Sequence, residues 1–344
     1  MNSSKKRNKR TFATAGVVIA ASVVATGLAL AAGKGLDVEI AYEIKALKIT
    51  GSAGPLYVQG DGQKLVFSDV SGAVLSASIN GGKATELARL KGAGGVAIAP
   101  SSFGSNGAAV FVLAAADPNG PCEVMKVSGG SASSFAKLPH AGGIGGGKAS
   151  DCRDLEFGPS SGPFAGKLYA VTNGNASVYE IDASGKAKAF ATFEKPLPFE
   201  IMSISFTEAN DSKAPNSMLL GMRPRTEVAA KVGRINVIDD KGQIKTEYLV
   251  GFVAPTGWGY APSGFGSYSG QFFIADAGKR ADKNDGARDG QVYRVDNKGV
   301  VRPFAGGMVD PNCLRFVGRT MVIADPAETG KPGQGAVVVI TSML

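Results

Sequence analysis

Six polar side chains carry the binding chemistry most readily assigned in this sequence: Arg153, Arg223, Arg225, Lys279, Arg280 and Asn312. Arginine presents forked donors matched to a carboxylate or phosphate, lysine a point charge, and asparagine both a donor and an acceptor. Together they would suit a small anionic or polar ligand. Other reactive types are scarce. His140 is the only histidine, within PHAGGIGGGKAS, which excludes multi-histidine metal sites and leaves a Ser-His-Asp triad one possible base. A loop role suits it better than catalysis. GGIGGGK lacks the spacing, and the hydroxyl residue after the lysine, that a phosphate loop requires. The segment DKNDGARDG (282–290) gathers Asp282, Asn284, Asp285 and Asp289. With Gly286 at its fifth position and no Glu at the twelfth it fails the EF-hand pattern and reads as a polar turn.

What must position these residues is a series of short strands. Glycine occurs 48 times in 344 residues, well above the usual share of about 7%. It falls between short apolar runs with no collagen-like period, so the chain is ordered and rich in turns. One β-rich run recurs six times: LVFSD (65–69), VFVLA (110–114), LYAVT (168–172), MLLGM (218–222), FFIAD (272–276) and MVIAD (321–325). An alternating element precedes each, anchored at Leu56, Val96, Leu155, Ile204, Trp258 and Leu314. A third run follows: VLSASI, EVMKV, VYEID, INVID, VYRVD and VVVIT. In the first five copies a Gly-bearing turn then leads into a fourth. Four antiparallel strands repeated around an axis make a β-propeller, here all-β and six-bladed. Asp69, Asp276 and Asp325 end equivalent second strands, where capping of the adjoining loop suits them better than catalysis. The last copy lacks a fourth strand, while VEIAYEIKALKIT (38–50) is strand-rich and stands alone. An open edge invites aggregation, so the expectation is that residues 38–50 complete the sixth blade; an independent N-terminal strand is the alternative.

The N-terminus is a separate device. The head KKRNKR is followed by an uncharged run from Thr11 to Gly33 with an Ala29-Leu30-Ala31 box. This pattern predicts a secretory signal over residues 1–31 and a single propeller domain over 32–344. The alternative is an uncleaved anchor, since the run could span about 30 Å of hydrocarbon. Either way the expected location is outside the cytoplasm, periplasmic or secreted or else membrane-tethered. The formal charge of +8 also changes meaning. Lys5, Lys6, Arg7, Lys9 and Arg10 lie in the head, which has no acid, so the remainder carries 32 basic against 29 acidic residues. That balance gives no nucleic-acid footprint.

The run GWGYAPSGFGSYSGQFFIADAG…GQVYRVDNKGVVRPFAGG resembles the six-bladed, TolB-like propellers, a broad group including NHL-repeat proteins and gluconolactonase-like hydrolases. The resemblance covers nearly all of residues 38–344 and is one of fold. In such blades the loops entering the first strand, and those joining the second to the third, open onto one face beside the channel. Here the second-to-third connections include the long stretches 223–233, 277–290 and 326–335, where binding would reside. The enzymatic form of the fold holds calcium with oxygens from several blades at the channel mouth. The residues two before each first-strand anchor are Gly54, Gly94, Arg153, Met202, Thr256 and Asn312, a poor ligand ring. Glu200, Asp151 and Asp154 lie near it but out of register by one or two positions.

The expected function is therefore an exported, monomeric propeller that binds a small polar or anionic molecule, or a protein, on its long-loop face. No cofactor is favoured. The alternative is a calcium-dependent lactonase or esterase-like hydrolase using Asp154, Glu200 and Asn312. Electron transfer with a quinone has no specific residue in its favour. Placing Cys122 and Cys152 on the same face of adjacent blades predicts a disulfide between them, because bridging needs Cα atoms within about 7 Å. Cys313 enters the opposite side of the ring and should stay free; three free thiols are the alternative.

Overall fold

The computed structural model describes residues 42–47, 49–115, 121–139, 152–173, 176–193, 199–209, 211–224, 232–278, 290–296, 298–326 and 335–343. The expected signal segment, His140, Asp151, Arg225, Lys279, Arg280 and the acidic stretch 282–289 lie outside them. Six four-stranded antiparallel sheets form the blades of a propeller. Blade 1 comprises Pro55–Asp61, Lys64–Asp69, Ala73–Ser78 and Thr85–Arg89. Blade 2 comprises Val96–Ile98, Val110–Ala115, Cys122–Ser128 and Ser131–Lys137. Blade 3 comprises Cys152–Phe157, Leu168–Thr172, Ser177–Ile181 and Ala187–Thr192. Blade 4 comprises Phe199–Phe206, Met218–Pro224, Gly233–Ile238 and Ile244–Phe252. Blade 5 comprises Pro255–Tyr260, Phe272–Asp276, Gly290–Val295 and Val301–Met308. Blade 6 contributes Cys313–Val317, Thr320–Asp325 and Ala336–Ser342, and Tyr42–Leu47 pairs antiparallel with the last of these, from Tyr42 opposite Ser342 to Leu47 opposite Val337. Ile49–Thr50 then adds a short parallel pairing to Gly82–Lys83 of blade 1.

Every sequence anchor falls in the strand assigned to it. The second strands are predominantly apolar up to their polar ends because they are buried on both faces; Leu168–Thr172 and Phe272–Asp276 are buried at every position. Ser131–Lys137 and Ala187–Thr192 are exposed or half-buried at all but one position each, since each lies at the outer edge of its blade.

The hairpin that recurs in blades 3, 4 and 5 has one chemical cause. Asp182, Asp239 and Asp296 immediately follow the third strands, and each Oδ1 accepts the amides two and four residues later at 2.8–3.0 Å. Such Asx geometry closes the turn without help from another strand. Gly185 and Gly242 follow with φ of +85° and +78°, which only glycine adopts freely. A Cβ at either would lie within 2.3 Å of the Phe135 or Phe190 carbonyl oxygen of the preceding blade. The turns thus also dock one blade on the next.

Aromatic seams join several blades on the hairpin face. Between blades 2 and 3, Phe103 and Phe111 meet Phe157 at 4.8 and 6.1 Å. Between blades 3 and 4, Phe164 and Tyr169 meet Phe206 at 5.2 and 5.4 Å. Between blades 5 and 6, Phe265 and Phe273 meet Phe316 at 5.1 and 5.9 Å. Each cluster takes one ring from the first-to-second loop, one from the second strand, one from the fourth, and one from the next blade.

Asp69, Asp276 and Asp325 cap the opposite face, as their positions suggest. Asp276 accepts the Val253, Ala254 and Gly278 amides at 2.7–3.0 Å, and Asp325 those of Val309 and Asp310 at 2.9–3.0 Å. The expected disulfide is present. Cys122 and Cys152 are bonded with Cα atoms 5.6 Å apart, while Cys313 is free and buried. Both bonded residues are the first of their strands rather than loop residues.

Candidate functional site

The first strands of the blades line the central channel and approach one another closely. A Cβ on Gly95 would lie 2.3 Å from the Leu155 amide nitrogen, and one on Gly257 2.3 Å from that of Leu314. Substituted positions there would force the inner strands apart. Into this narrow space project charged side chains from blades on opposite sides of the ring.

Asp154 of blade 3 is 1% exposed. Its Oδ1 accepts the Leu155 amide at 2.9 Å and its Oδ2 the Ile204 amide of blade 4 at 3.0 Å. Both oxygens also accept from Nη2 of Arg315, in the first strand of blade 6, at 3.1 and 3.0 Å. The pair therefore spans the channel between opposite blades. Arg315 Nη1 donates to the Leu314 carbonyl at 3.0 Å, and Nε lies 2.7 Å from Glu156 Oε2. Gln59 of blade 1 donates to the same Glu156 oxygen at 3.0 Å. Burial opposes the charge of Arg315, but the surrounding Cys313, Glu156 and Asp154 hold its pKa well above the usual guanidinium value. Burial pushes the Glu156 carboxyl up to about 7, against the pull of Arg315. Burial likewise raises the Cys313 thiol to about 11, leaving it an unreactive wall residue whose Sγ donates to the Val58 carbonyl at 3.7 Å.

A second group involves blades 3 and 4. Glu200 stands opposite Arg223 in the strand register and accepts from its Nε at 2.6 Å, with Nη2 at 2.5 Å. Arg153 Nη2 is 3.7 Å from the same Glu200 oxygen. The Arg153 Nε is buried and has no hydrogen-bond partner among the described residues.

The residues singled out from sequence are thus distributed as follows. Arg153 and Arg223 converge on Glu200. Arg223 is not a loop residue: the second strand of blade 4 runs on through Pro224, held by pairing with Glu200. Asn312 stands apart, donating to the Leu56 carbonyl at 3.0 Å across the join of blades 6 and 1. Arg225, Lys279 and Arg280 lie outside the described residues. Each residue of the alternative calcium set is engaged: Asp154 by Arg315, Glu200 by Arg223, and Asn312 by Leu56. Among the described residues no three His, Cys, Asp or Glu side chains group as metal ligands.

The fixed offset used to find a ligand ring did not select the channel network. Register shifts interrupt the first strands of blades 1, 3, 4 and 5, between Pro55 and Tyr57, Cys152 and Leu155, Ile201 and Ser203, and Pro255 and Gly257. A bulge re-aims the side chains beside it, so equal sequence offsets point in different directions; Met202 and Thr256 are buried at 2% and 1% exposure. Sequence reasoning missed Arg315, Glu156 and Gln59. The available signal was an arginine inside LRFV and a charged alternation in CRDLEF, both in strands that must face the axis.

No protein-family model matches the chain, and no curated protein matches it. Solved structures do match in fold. A Bacteroides thetaiotaomicron protein of unknown function is 12% identical with a TM-score of 0.59, covering 88% of this chain and 76% of that one. An auxiliary nutrient binding protein from the same organism is 12% identical with a TM-score of 0.54, covering 84% and 69%. A gluconolactonase-like protein is 11% identical with a TM-score of 0.53, covering 88% and 92%. These likenesses carry the propeller architecture and no activity, because one such fold hosts unrelated functions.

Proposed function

We propose that the protein is an exported binding propeller, without catalytic chemistry of its own, that takes a small polar or anionic ligand beside Arg153 and Arg223. One observation carries this reading: the carboxylates best placed to hold a cation are each committed to an arginine, while the Arg153 Nε has no partner. A buried donor without an acceptor costs free energy that an incoming carboxylate or phosphate oxygen would recover. A calcium ion at Asp154, Glu200 and Asn312 would have to displace Arg315 and Arg223 and then sit beside three guanidinium groups. That arrangement disfavours the hydrolase reading. The Cys122–Cys152 bond suits an oxidising compartment, and the basic head with its apolar run suggests export by a cleaved signal. The near-neutral remainder of the chain suits a small-molecule or protein ligand, not nucleic acid.

Isothermal titration of the disulfide-intact protein with succinate and with inorganic phosphate tests this reading. At least one should bind saturably, and Arg153→Ala should weaken it roughly 10-fold or more, since a charge-assisted hydrogen bond contributes about 1.5–3 kcal/mol. Lactone hydrolysis that requires added calcium and stops with chelator would replace this reading with the enzymatic one.

A further inference from the structure

A cleft of about 420 Å³ opens in blade 1, away from the charged channel network. Its walls are the second-to-third turn, Val70 to Gly72, and the connection from the fourth strand toward blade 2, Arg89 to Ala93. Leu56 of the first strand lines it as well. The volume falls in the range usual for small-ligand sites.

The two walls are tied together. Leu90 donates its amide to the Gly72 carbonyl at 2.8 Å. Gly72 has φ of +82°, and a Cβ there would lie 2.0 Å from the Leu90 carbonyl oxygen. Arg89 Nη1 reaches across to the Ser71 hydroxyl at 3.2 Å. The cleft is therefore preformed by backbone contacts, which lowers the ordering cost of binding.

Its chemistry is one-sided. Asp69 lines the cleft but is 1% exposed, and its carboxylate is saturated by the Ala53, Ser71 and Ala73 amides and the Ser71 hydroxyl at 2.6–3.1 Å. Arg89 shares its charge with Glu86 at 2.5 Å. Lys91 is exposed, and its ammonium has no ion-pair partner among the described residues. Lys91, a cation unshared among the described residues, thus lines the cleft together with the apolar Leu56, Leu90 and Val70, the last 43% exposed although it is a large apolar side chain. A single fixed charge beside an uncovered apolar surface matches a ligand with one negative head and an apolar body.

We propose that this cleft is a second binding site, separate from the one beside Arg153, and that it takes a monocarboxylate with a short aliphatic chain. The carboxylate lies beside Lys91, and the chain covers Val70 and Leu90. The site does not depend on the reading of the channel group, and the controls keep the two apart.

Isothermal titration of the full protein at low ionic strength, with sodium octanoate, octyl phosphate, inorganic phosphate and octyl glucoside, tests it. Octanoate should bind saturably at one site, more tightly than the other three. Lys91→Glu and Val70→Asp, both at exposed positions, should each weaken octanoate 10-fold or more, while Arg153→Ala leaves it unchanged. Absence of saturable octanoate binding overturns the proposal. So does octanoate binding that persists in Lys91→Glu, or that is lost in Arg153→Ala. Equal binding of octyl glucoside removes the role of the carboxylate, and tighter octyl phosphate replaces the carboxylate with a phosphate monoester; either overturns the ligand class assigned.

Discussion

Two regions of the ring hold it together by contrasting means. The seams on the hairpin face are written repeatedly: the clusters around Phe103, Phe164 and Phe265 draw rings from equivalent positions in three pairs of blades. The channel network is written once. Gln59, Glu156 and Arg315 hold equivalent first-strand positions in blades 1, 3 and 6, yet each carries a different polar group there, and with Asp154 they link blades 3, 4, 6 and 1 rather than neighbours alone. The seam between blades 4 and 5 falls between these extremes. Tyr248 and Tyr260 replace two phenylalanines there, and both donate to Asp211, whose Oδ1 also accepts the Lys213 and Ala214 amides. Repetition therefore marks how blades stack, and departure from it marks where individual chemistry has been placed.

The largest effect should come from the sheet that both regions share. Removing Tyr42–Leu47 strips the outer partner from Ala336–Ser342 and takes the Tyr42 ring away from Phe265, Tyr268 and Phe304. The expected result is aggregation, or loss of a single cooperative melting transition, followed by circular dichroism and light scattering. A truncated chain that melts like its parent would mean that the ring closes without this strand.

Arg315→Met and Phe265→Ala should each cost about 3–5 kcal/mol in urea unfolding, for different reasons. The first leaves Asp154 charged and buried with a lost partner; the second leaves a cavity in an aromatic cluster. A second substitution separates them. Adding Asp154→Asn to Arg315→Met should restore much of the loss, since removing both charges removes the penalty. No change at Asp154 should rescue Phe265→Ala. If Asp154→Asn gives no recovery, the pair is not the bond between opposite blades described here.

Tyr260→Phe should cost less, about 1 kcal/mol, the net worth of one hydrogen bond. Asp211 keeps Tyr248 and two backbone amides. A loss as large as that of Phe265→Ala would mean that the polar seam is as demanding as the aromatic ones.

The same contrast explains what could be read in advance. Strand order and blade number followed from runs such as FFIAD and MVIAD, because stacking equivalent blades imposes equivalent apolar residues. The disulfide followed from the blade map, since it needs only that two strand ends be adjacent. The VDNKGV turn was visible as a turn, though not the role of Asp296 within it. The channel was less legible. Arg315 lies 161 residues from Asp154, and nothing in LRFV says which opposite side chain it will meet. Bulges also broke the offset by which a ligand ring was sought, so Arg153 was found while Glu156, three residues away, was passed over.

Glu156 supplies the most selective test. Its carboxyl is carried up to about 7 by burial, whereas in the unfolded chain it titrates near 4.3. Between those values the folded protein binds more protons at this site than the unfolded chain. Its contribution to stability is therefore full below pH 4.3, falls as the pH rises toward 7, and is gone above that. The slope cannot exceed about 1.4 kcal/mol per pH unit, the value for one whole proton. Carboxyls such as Asp182 and Asp239, held below their usual range by their hydrogen-bond partners, act in the opposite direction at lower pH. The informative quantity is thus the difference between parent and Glu156→Gln, measured by urea unfolding from pH 4 to 8. Glutamine occupies the same position beside Arg315 and Gln59 without titrating. Relative to the variant, the parent should lose stability steadily between pH 4.3 and 7 and then run parallel to it. If the curves are parallel throughout, Glu156 titrates as an ordinary carboxylate, and its contact with Arg315 outweighs the burial of the channel wall.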